Sequence, residues 1–477
     1  MIFNKTKQFN PLNLAQIFFL LFILTLFFPI RYVFPTTESY ITGLYSDFTS
    51  FSLYISDVVL FIAFFFILWY NYKVFLAHFV NNYKLIFIIL WLILATFIFN
   101  PHISQLNIWY FFKLIECIIV AYGTTVFISN FQFSIFKSWF FRIFIILGTI
   151  QSIIAISQFI TQAPIGLSLF GEQQIYPYLS GVAKIVSDGT NYIRPYGTFP
   201  HPNVLSVFLI VTILFIIYFL LNQQKPDLNN KLFSNRYSLI TNFWLNLALF
   251  INLMGITLTF SRGAFVALAL GLMFFFGFMF SFTYFSNLLT DQRAKKIWQV
   301  NLLQVLIIII YSIGLSFFIF KPFLLTRITI SDNASLERGV YNRIGINIIK
   351  NHPVIGIGAG ESVLHMEQYS PTKLYPNQIQ PIHNYFLLSA SEIGILGALL
   401  FFWLFFSYFW DLFKNLKFKI KNFEISYYLL LTTLLISFFI LMLFDHYFYT
   451  IQSTQMLLWV ILGITASTNK NGTNPNS

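Results

Sequence analysis

Arginine and histidine recur at a few polar points of a chain that is otherwise very apolar. Residues 194–203 read Arg-Pro-Tyr-Gly-Thr-Phe-Pro-His-Pro-Asn and stand directly before a long apolar run. Arg262 lies in a short turn between two such runs, and His383-Asn384 precedes another. A guanidinium keeps its charge and can donate two parallel hydrogen bonds to phosphate oxygens, whereas an imidazole gains and loses a proton near neutral pH. The pattern indicates a site that holds a phosphate and moves a proton.

Other readings of these residues stay open. Arg262 can be a helix-end arginine that reaches the membrane surface, and His383 can be an interfacial histidine. His201 lies between two prolines, which favours a structural role, with Asn203 as the expected cap of the helix that follows.

Arg338 and Arg343 are five positions apart on a predicted helix, so they point about 140° from one another. Both are not expected to face one site. The other arginine would form a salt bridge in the loop, with Glu337 as the nearest acid.

The elements that position these residues are membrane helices. The chain is 57% hydrophobic and 9% charged, whereas soluble domains carry roughly a quarter charged residues. A span needs about 20 apolar residues. Twelve runs fit: 12–30, 51–70, 84–99, 106–128, 141–161, 203–221, 243–260, 264–284, 300–320, 384–410, 426–444 and 448–465.

Charge sets the expected orientation. The formal net charge is +12, and with both termini in the cytoplasm the inner loops hold more than half of the 28 lysines and arginines. Inner basic residues include Lys5, Lys7, Lys225, Lys231, Lys419 and Lys421. The outer face then carries segments 162–202 and 321–383 and the turn at Arg262. The basic residues therefore indicate topology rather than nucleic-acid binding.

The long outer segment 321–383 is predicted to contain a helix. Leu336, Val340, Tyr341, Ile344 and Ile348 recur at helical spacing, and His352-Pro353 ends the run. Asp332, Asn333 or Ser335 is the expected cap at its start.

Ionisable residues inside the apolar runs keep a second function class open. Lys113 and Glu116 lie three residues apart on one helical face, while Asp57 and Glu392 have no obvious sequence partner. A transporter or flippase for a lipid-linked sugar would use such residues near the midplane, on broken helices in paired halves. We find no paired halves, and the richest polar clusters lie on one face. A structural or assembly protein without a site leaves Arg262 unexplained.

Neither a metal nor a cofactor is expected. Cys117 is the single cysteine, and the chain has no His-Glu-x-x-His sequence. Gly356, Gly358 and Gly360 are not followed by the Gly-Lys-Ser/Thr of a nucleotide-binding loop.

Four stretches together resemble the bacterial O-antigen ligase and O-antigen polymerase superfamily. They are residues 194–203, 259–264, Glu337-Arg338 with 351–358, and His383-Asn384 with 392–397. The likeness runs from about residue 190 to 465. It implies an all-α polytopic fold of about twelve spans in the glycosyltransferase class called GT-C, with a large periplasmic loop.

The resemblance also implies domains, activity and partners. Residues 1–180 would be N-terminal membrane helices, 181–465 the ligase-like core with loop 321–383, and 466–477 a disordered cytoplasmic tail. The implied protein is a multi-pass glycosyltransferase of the cytoplasmic membrane. It would move a glycan from undecaprenyl diphosphate to an acceptor hydroxyl on lipid A core, protein or a growing glycan, at the outer face.

The site residues carried over are His383 as the base and Arg262 and Arg338 as diphosphate ligands, with Arg194 as a weaker third. Supporting roles are expected for Arg343, Asn384, Glu392 and His201.

Overall fold

The computed structural model describes residues 11–80, 82–100, 103–130, 133–222, 233–285, 292–329, 333–418 and 425–468. Several predicted features lie outside them: Lys5, Lys7, Lys225, Lys231, Lys419, Lys421, the capping candidate Asp332, and the tail from 469. The side chains of the other two capping candidates, Asn333 and Ser335, are also outside the described part. Residues 466–468, assigned to the tail, are helical.

The described chain is mostly helical. Its helices are α1 Pro11–Thr25, α2 Ile55–Val80, α3 Tyr83–Ile93, α4 Gln105–Asn130, α5 Phe133–Thr161, α6 Pro202–Leu221, α7 Phe233–Leu258, α8 Arg262–Phe285, α9 Gln292–Thr329, α10 Asn333–Asn351, α11 Met366–Tyr369, α12 Tyr385–Phe418, α13 Ile425–Phe444, α14 Tyr447–Thr450 and α15 Gln452–Thr468. A π-helical turn, Leu94–Ile98, extends α3. Each of the twelve predicted runs lies mainly in helix, although run 51–70 begins in a strand and run 448–465 covers parts of both α14 and α15.

Seven of the described helices contain segments long and apolar enough to cross a membrane, and four shorter helices are also apolar. The segments are Gln105–Ile128, Trp139–Thr161, Pro202–Leu221, Arg262–Ser281, Gln299–Arg327, Tyr385–Leu416 and Ser426–Phe444. The chain is therefore a multi-pass membrane protein, while the count of twelve spans stays a prediction. Helix α6 is apolar on all sides and lies at the centre, packed against α5, α7, α8 and α13.

Three small antiparallel hairpin pairings lie between helices. Strands β1 Arg31–Phe34 and β4 Phe51–Tyr54 pair and enclose β2 Tyr40–Ile41 with β3 Leu44–Tyr45. Strands β5 Lys184–Ser187 and β6 Thr190–Ile193 pair between α5 and α6, and β5 packs against α9.

The outer segment 321–383 begins inside a helix. Helix α9 bends at Phe320, beside Pro322, and then continues to Thr329. Helix α10 follows and ends at Asn351 before His352-Pro353, as predicted. Its predicted apolar face is partly right: Tyr341, Ile344 and Ile348 are buried, but Leu336 is 69% exposed.

Helix α12 is broken at Gly394, which has φ +77° and ψ 165°. The loop after α10 fills the break through three backbone hydrogen bonds: Ile357 N donates to Ser391 O, Gly358 N to Glu392 O, and Ile395 N to Pro353 O. The Trp91 indole donates to Ile393 O over 2.9 Å. Protein groups thus satisfy the backbone that the break frees, as a broken membrane helix requires. The break docks the outer loop onto the helix that His383 precedes.

Candidate functional site

A cavity of about 170 Å³ lies where the ends of α6, α8, α9 and α13 meet α10. Five predicted residues line it: Arg194, His201, Arg262, Arg338 and His383. Arg343, Asn384 and Glu392 do not. Residues that stand far apart in the sequence thus meet in one cavity.

Arg194 is buried and ties three parts of the chain together. Its Nε donates to Thr259 O at the end of α7 over 2.8 Å, and its Nη2 donates to Asn203 Oδ1 over 2.6 Å. Burial, and then the nearby charge of Arg327, lower the pKa of Arg194 to about 10, so the group stays cationic at neutral pH. Part of its donor capacity is committed to the fold, which leaves fewer N–H groups for a ligand.

His201, not Asn203, caps α6. The His201 ring accepts a hydrogen bond at Nδ1 from Asn203 N over 3.1 Å, with Pro202 at the first helical position. The predicted cap was therefore wrong, because a proline at that position turns the preceding residue into the cap. The Asn203 amide instead donates to Asp445 Oδ2 over 3.1 Å and to the Tyr447 hydroxyl over 3.2 Å. His201 is a structural residue on the cavity wall, and burial lowers its pKa.

The two arginines of α10 separate as their spacing predicts. Arg338 faces the cavity, and its Nη2 lies 3.6 Å from Asp445 Oδ2. Arg343 is exposed and lines neither this cavity nor its neighbour. The expected loop salt bridge with Glu337 is replaced by a hydrogen bond from the Gln378 amide to Glu337, 3.2 Å long.

Arg262 is the first residue of α8, and Ser261, Arg262 and Gly263 all line the cavity. The first turn of a helix leaves backbone N–H groups without intrahelical acceptors and carries the positive end of the helix dipole. Both features favour an anion at this point. Arg327, in the last turn of α9, also lines the cavity and donates from Nε to Phe260 O over 3.4 Å.

The balance of charge in this cavity is cationic. Four arginines (194, 262, 327 and 338) line it against two acids, Glu337 and Asp445. Desolvation raises the pKa of Asp445, whereas His383 and Arg338 oppose that shift. The excess of guanidinium groups suits a ligand with two or more negative charges.

His383 is held in one orientation by its neighbours. Its Nδ1 lies 2.9 Å from Pro381 O, and its ring stacks on Tyr341 at 5.1 Å with planes 13° apart. The edge of His446 lies against it at 4.8 Å. Desolvation lowers the pKa of His383, and the nearby Arg338 guanidinium lowers it further. The Asp445 carboxylate opposes this shift without reversing it. A neutral imidazole whose Nδ1 is occupied presents Nε2 as a base.

Asn384 and Glu392 support the site from outside the cavity. Asn384 Oδ1 accepts from Phe386 N and Leu387 N, each over 3.0 Å, so it caps α12 directly after His383. Glu392 Oε2 accepts from Gly360 N over 2.7 Å, and its Oε1 accepts from the Ser362 hydroxyl over 2.6 Å. Glu392 therefore anchors the outer loop to α12.

His383, Asp445 and His446 form the one group of described residues with donor types and spacing that could suit a metal, their ligand atoms all within 4.8 Å. Two imidazoles and a carboxylate are ligands for zinc or iron. The nearby guanidinium of Arg338 opposes a divalent cation at the shared carboxylate. The donor types therefore fit a metal, but the electrostatic surroundings fit an anion better.

Arg327, Asp445 and Tyr447 line the cavity, although the sequence did not place them in the site. Arg327 ends a long apolar run, and Asp445 and Tyr447 flank the gap between α13 and α14. A charged residue at the end of a span was the available sequence signal for Arg327 and Asp445. Only packing of α13 against α6 and α8 brings Asp445 to Asn203.

The charges assigned to a transport path lie in two separate places. Lys113 pairs with Asp57 over 2.6 Å and with Glu116 over 3.0 Å. Lys113 and Glu116, which share one helical face, therefore form an ion pair, and Asp57 also accepts a hydrogen bond from the Gln452 amide. Glu392 instead binds the outer loop.

A family model described as O-antigen ligase matches residues 247–402. This segment includes Arg262, Arg327, Arg338 and His383, whereas Arg194, His201 and Asp445 lie outside it. Among curated proteins, none matches the chain.

Proposed function

We propose that this protein is a membrane glycosyltransferase that uses a polyprenyl-diphosphate donor, because residues 247–402 match a family model described as O-antigen ligase. It moves the glycan of an undecaprenyl-diphosphate-linked oligosaccharide to an acceptor hydroxyl. The reaction takes place at the outer face of the cytoplasmic membrane, with both termini in the cytoplasm.

The observation that carries this proposal is the shared cavity of His383 and four arginines. An acceptor oxygen attacks the anomeric carbon of the donor, and the bond from that carbon to the diphosphate oxygen breaks. His383 Nε2 takes the hydroxyl proton. The electron pair leaves with the diphosphate, whose charge Arg262, Arg338 and Arg194 stabilise, with Arg327 beside them. A single displacement of this kind inverts the anomeric centre.

No metal or nucleotide is required by these steps. The arginines supply the charge stabilisation that a cation supplies in many transfers of phosphate-bearing groups. Lys113 forms ion pairs with both Asp57 and Glu116, which supports a structural role for these residues over an ion path.

The test is transfer by purified protein in nanodiscs, with a lipid-diphosphate-linked glycan and candidate acceptors. His383→Ala should reduce kcat by about 10²–10⁴, the usual worth of a general base. Arg262→Ala should reduce transfer by about 10²–10³. His365→Ala and Arg343→Ala are matched controls on the outer loop and should keep wild-type rates, because neither side chain lines the cavity.

Undiminished transfer by the His383 variant would remove the proposed base. Transport is tested in proteoliposomes. Absence of transfer by the wild type, together with movement of lipid-linked glycan or ions across the proteoliposome membrane, would favour the transporter. Product size separates the two kinds of transferase: a single shift of the acceptor band indicates a ligase, and a ladder indicates a polymerase.

A further inference from the structure

A second cavity of about 230 Å³ lies against the first. The two share His201, Gln380, His383 and Tyr447 as a common wall. Its other walls come from the β1–β4 hairpin, the start of α4, and α14 with the start of α15. His383, the proposed base, thus faces both spaces.

The second cavity differs from the first in its electrostatics. Its cations are paired: Arg31 binds Asp47 over 2.8 Å, and Lys113 binds Asp57 and Glu116. Arg31 also donates to the Ser52 hydroxyl and the Tyr54 hydroxyl. Because these donors are engaged by carboxylates of the protein, the cavity does not offer the excess of positive charge that a phosphate needs. It suits a neutral ligand.

The lining is aromatic and rich in amides and hydroxyls. Phe48, Tyr54, Trp109 and Tyr110 contribute rings. Ser453 and Gln455, in the first turn of α15, line the same cavity and are 3% and 5% exposed. Among the described residues, the buried Ser453 hydroxyl has no hydrogen-bond partner. A buried polar group without a partner is costly, so this hydroxyl favours a ligand that can hydrogen-bond, and the Gln455 amide lines the same cavity.

We propose that the second cavity binds the acceptor, and that the acceptor end held there is a sugar. This inference rests on the proposed function. A pyranose has an apolar C–H face that packs on aromatic rings and hydroxyls that pair with amides. The volume is below the range of about 300–1,000 Å³ for drug-sized ligands, which fits a terminal sugar unit. Its hydroxyl gives its proton to His383 Nε2 as the oxygen bonds to the donor's anomeric carbon.

A lipid tail fits the second cavity less well, because an alkyl chain would leave the buried Ser453 hydroxyl unpaired. The walls from residues 29–54 and 109–113 lie outside the O-antigen ligase match. Selection of the acceptor therefore falls to a part of the chain beyond the family core, while the donor site lies mainly within it.

The test compares a Ser453→Ala/Gln455→Met double variant with the wild type. The probes are the glycan released from the donor by mild acid and delipidated lipopolysaccharide core. Binding of each probe to protein in nanodiscs is measured by saturation-transfer NMR without donor. Transfer is measured separately, with KM for donor and acceptor. The control is Ser467→Ala, a buried serine at the other end of α15 that lines neither cavity.

At least one probe should bind the wild type, and the double variant should weaken that binding and raise the acceptor KM by about tenfold, with the donor KM unchanged. Ser467→Ala should match the wild type. Two results would contradict the acceptor site and leave the proposed function standing. In the first, transfer proceeds but the double variant leaves the acceptor KM unchanged. In the second, neither carbohydrate binds while a polypeptide is glycosylated. If a probe binds but no glycan is transferred, the proposed function fails instead.

Discussion

The Nδ1 atom of His383 lies 2.9 Å from the carbonyl oxygen of Pro381, two residues earlier in the chain. A carbonyl oxygen only accepts, so the ring must donate from Nδ1, and its lone pair then lies on Nε2. Tyr341 stacks on one face of the ring and holds its plane. The backbone therefore selects the tautomer that can act as a base toward the two cavities.

The pH dependence of transfer follows from the environment of this ring. Desolvation lowers the pKa of His383 below its ordinary 6.5, so the base stays neutral as the pH falls through 6.5 and is lost only at lower pH. The acid limb of kcat at saturating donor should lie below pH 6.5. Asp445→Asn removes a carboxylate that raises this pKa, so it should shift the limb to still lower pH.

The measurement is a pH–rate profile from about pH 4.5 to 9 for both proteins. A limb at or above pH 6.5 in the wild type, or a limb that moves upward in Asp445→Asn, would contradict the assigned base or its surroundings. Circular dichroism at each pH separates titration from unfolding.

Arg338 and Arg343 offer a matched pair on one helix. Arg338 lines the cationic cavity, and Arg343 is exposed. Arg338→Ala should lower kcat/KM for the donor by about 10²–10³, because one cationic donor to the leaving group is lost. Arg338→Lys should restore charge but not the bidentate geometry, so an intermediate rate is expected. Steady-state kinetics with varied donor measure both effects.

Arg343→Ala should retain the wild-type donor KM. Equal losses in the two alanine variants would mean that the arginines act through α10 as a whole and not through the cavity. Arg338→Ala also removes one of the partners of Asp445, so thermal unfolding of each variant should be recorded beside the kinetics.

The cationic half of the site was accessible to sequence reasoning because its residues stand at the ends of apolar runs. A charged or polar group at the end of a membrane span costs free energy unless it binds a partner or a ligand. This argument pointed to Arg194, Arg262, Arg338 and His383. The helix period also separated Arg338 from Arg343 without any tertiary information. The positions of the helices followed from the same apolar runs.

The rest depends on packing between distant parts of the chain. Arg327 reaches the cavity because α9 continues past its bend at Phe320, where the predicted apolar run 300–320 ends. Asp445 is held at the cavity by a hydrogen bond from the Asn203 amide. Asn203 was expected to cap α6, but His201 is the cap. Glu392 was expected to support the site, yet its carboxylate binds the outer loop beside the break in α12.

Removal of metal provides a third prediction. His383, Asp445 and His446 have donor types that zinc accepts, but the guanidinium of Arg338 lies 3.6 Å from the carboxylate. Transfer should therefore keep its rate after dialysis against EDTA, and added Zn²⁺ should inhibit by competing for His383. Metal analysis of the dialysed protein provides the control. A rate that falls on dialysis and returns with a divalent ion would assign the three residues to a catalytic metal.

Gly394 provides the last prediction, which concerns how the outer loop reaches the site. Its φ of +77° and ψ of 165° lie in a region that is essentially restricted to glycine. A Cβ there would lie 1.8 Å from Val354 O, a backbone atom that cannot rotate away. Gly394→Ala should therefore force the loop off the break in α12, which frees Ser391 O and Glu392 O from their loop donors.

We expect this substitution to destabilise the protein by more than the about 1–3 kcal/mol of backbone strain alone. The measurement is the thermal unfolding of detergent-solubilised protein, with transfer activity on the folded fraction. Gly277→Ala is the control, since a Cβ at Gly277 in α8 meets nothing within 4 Å. If Gly394→Ala unfolds at the wild-type temperature and transfers glycan at the wild-type rate, the broken helix does not position the outer segment 321–383, which contains Arg338 and His383.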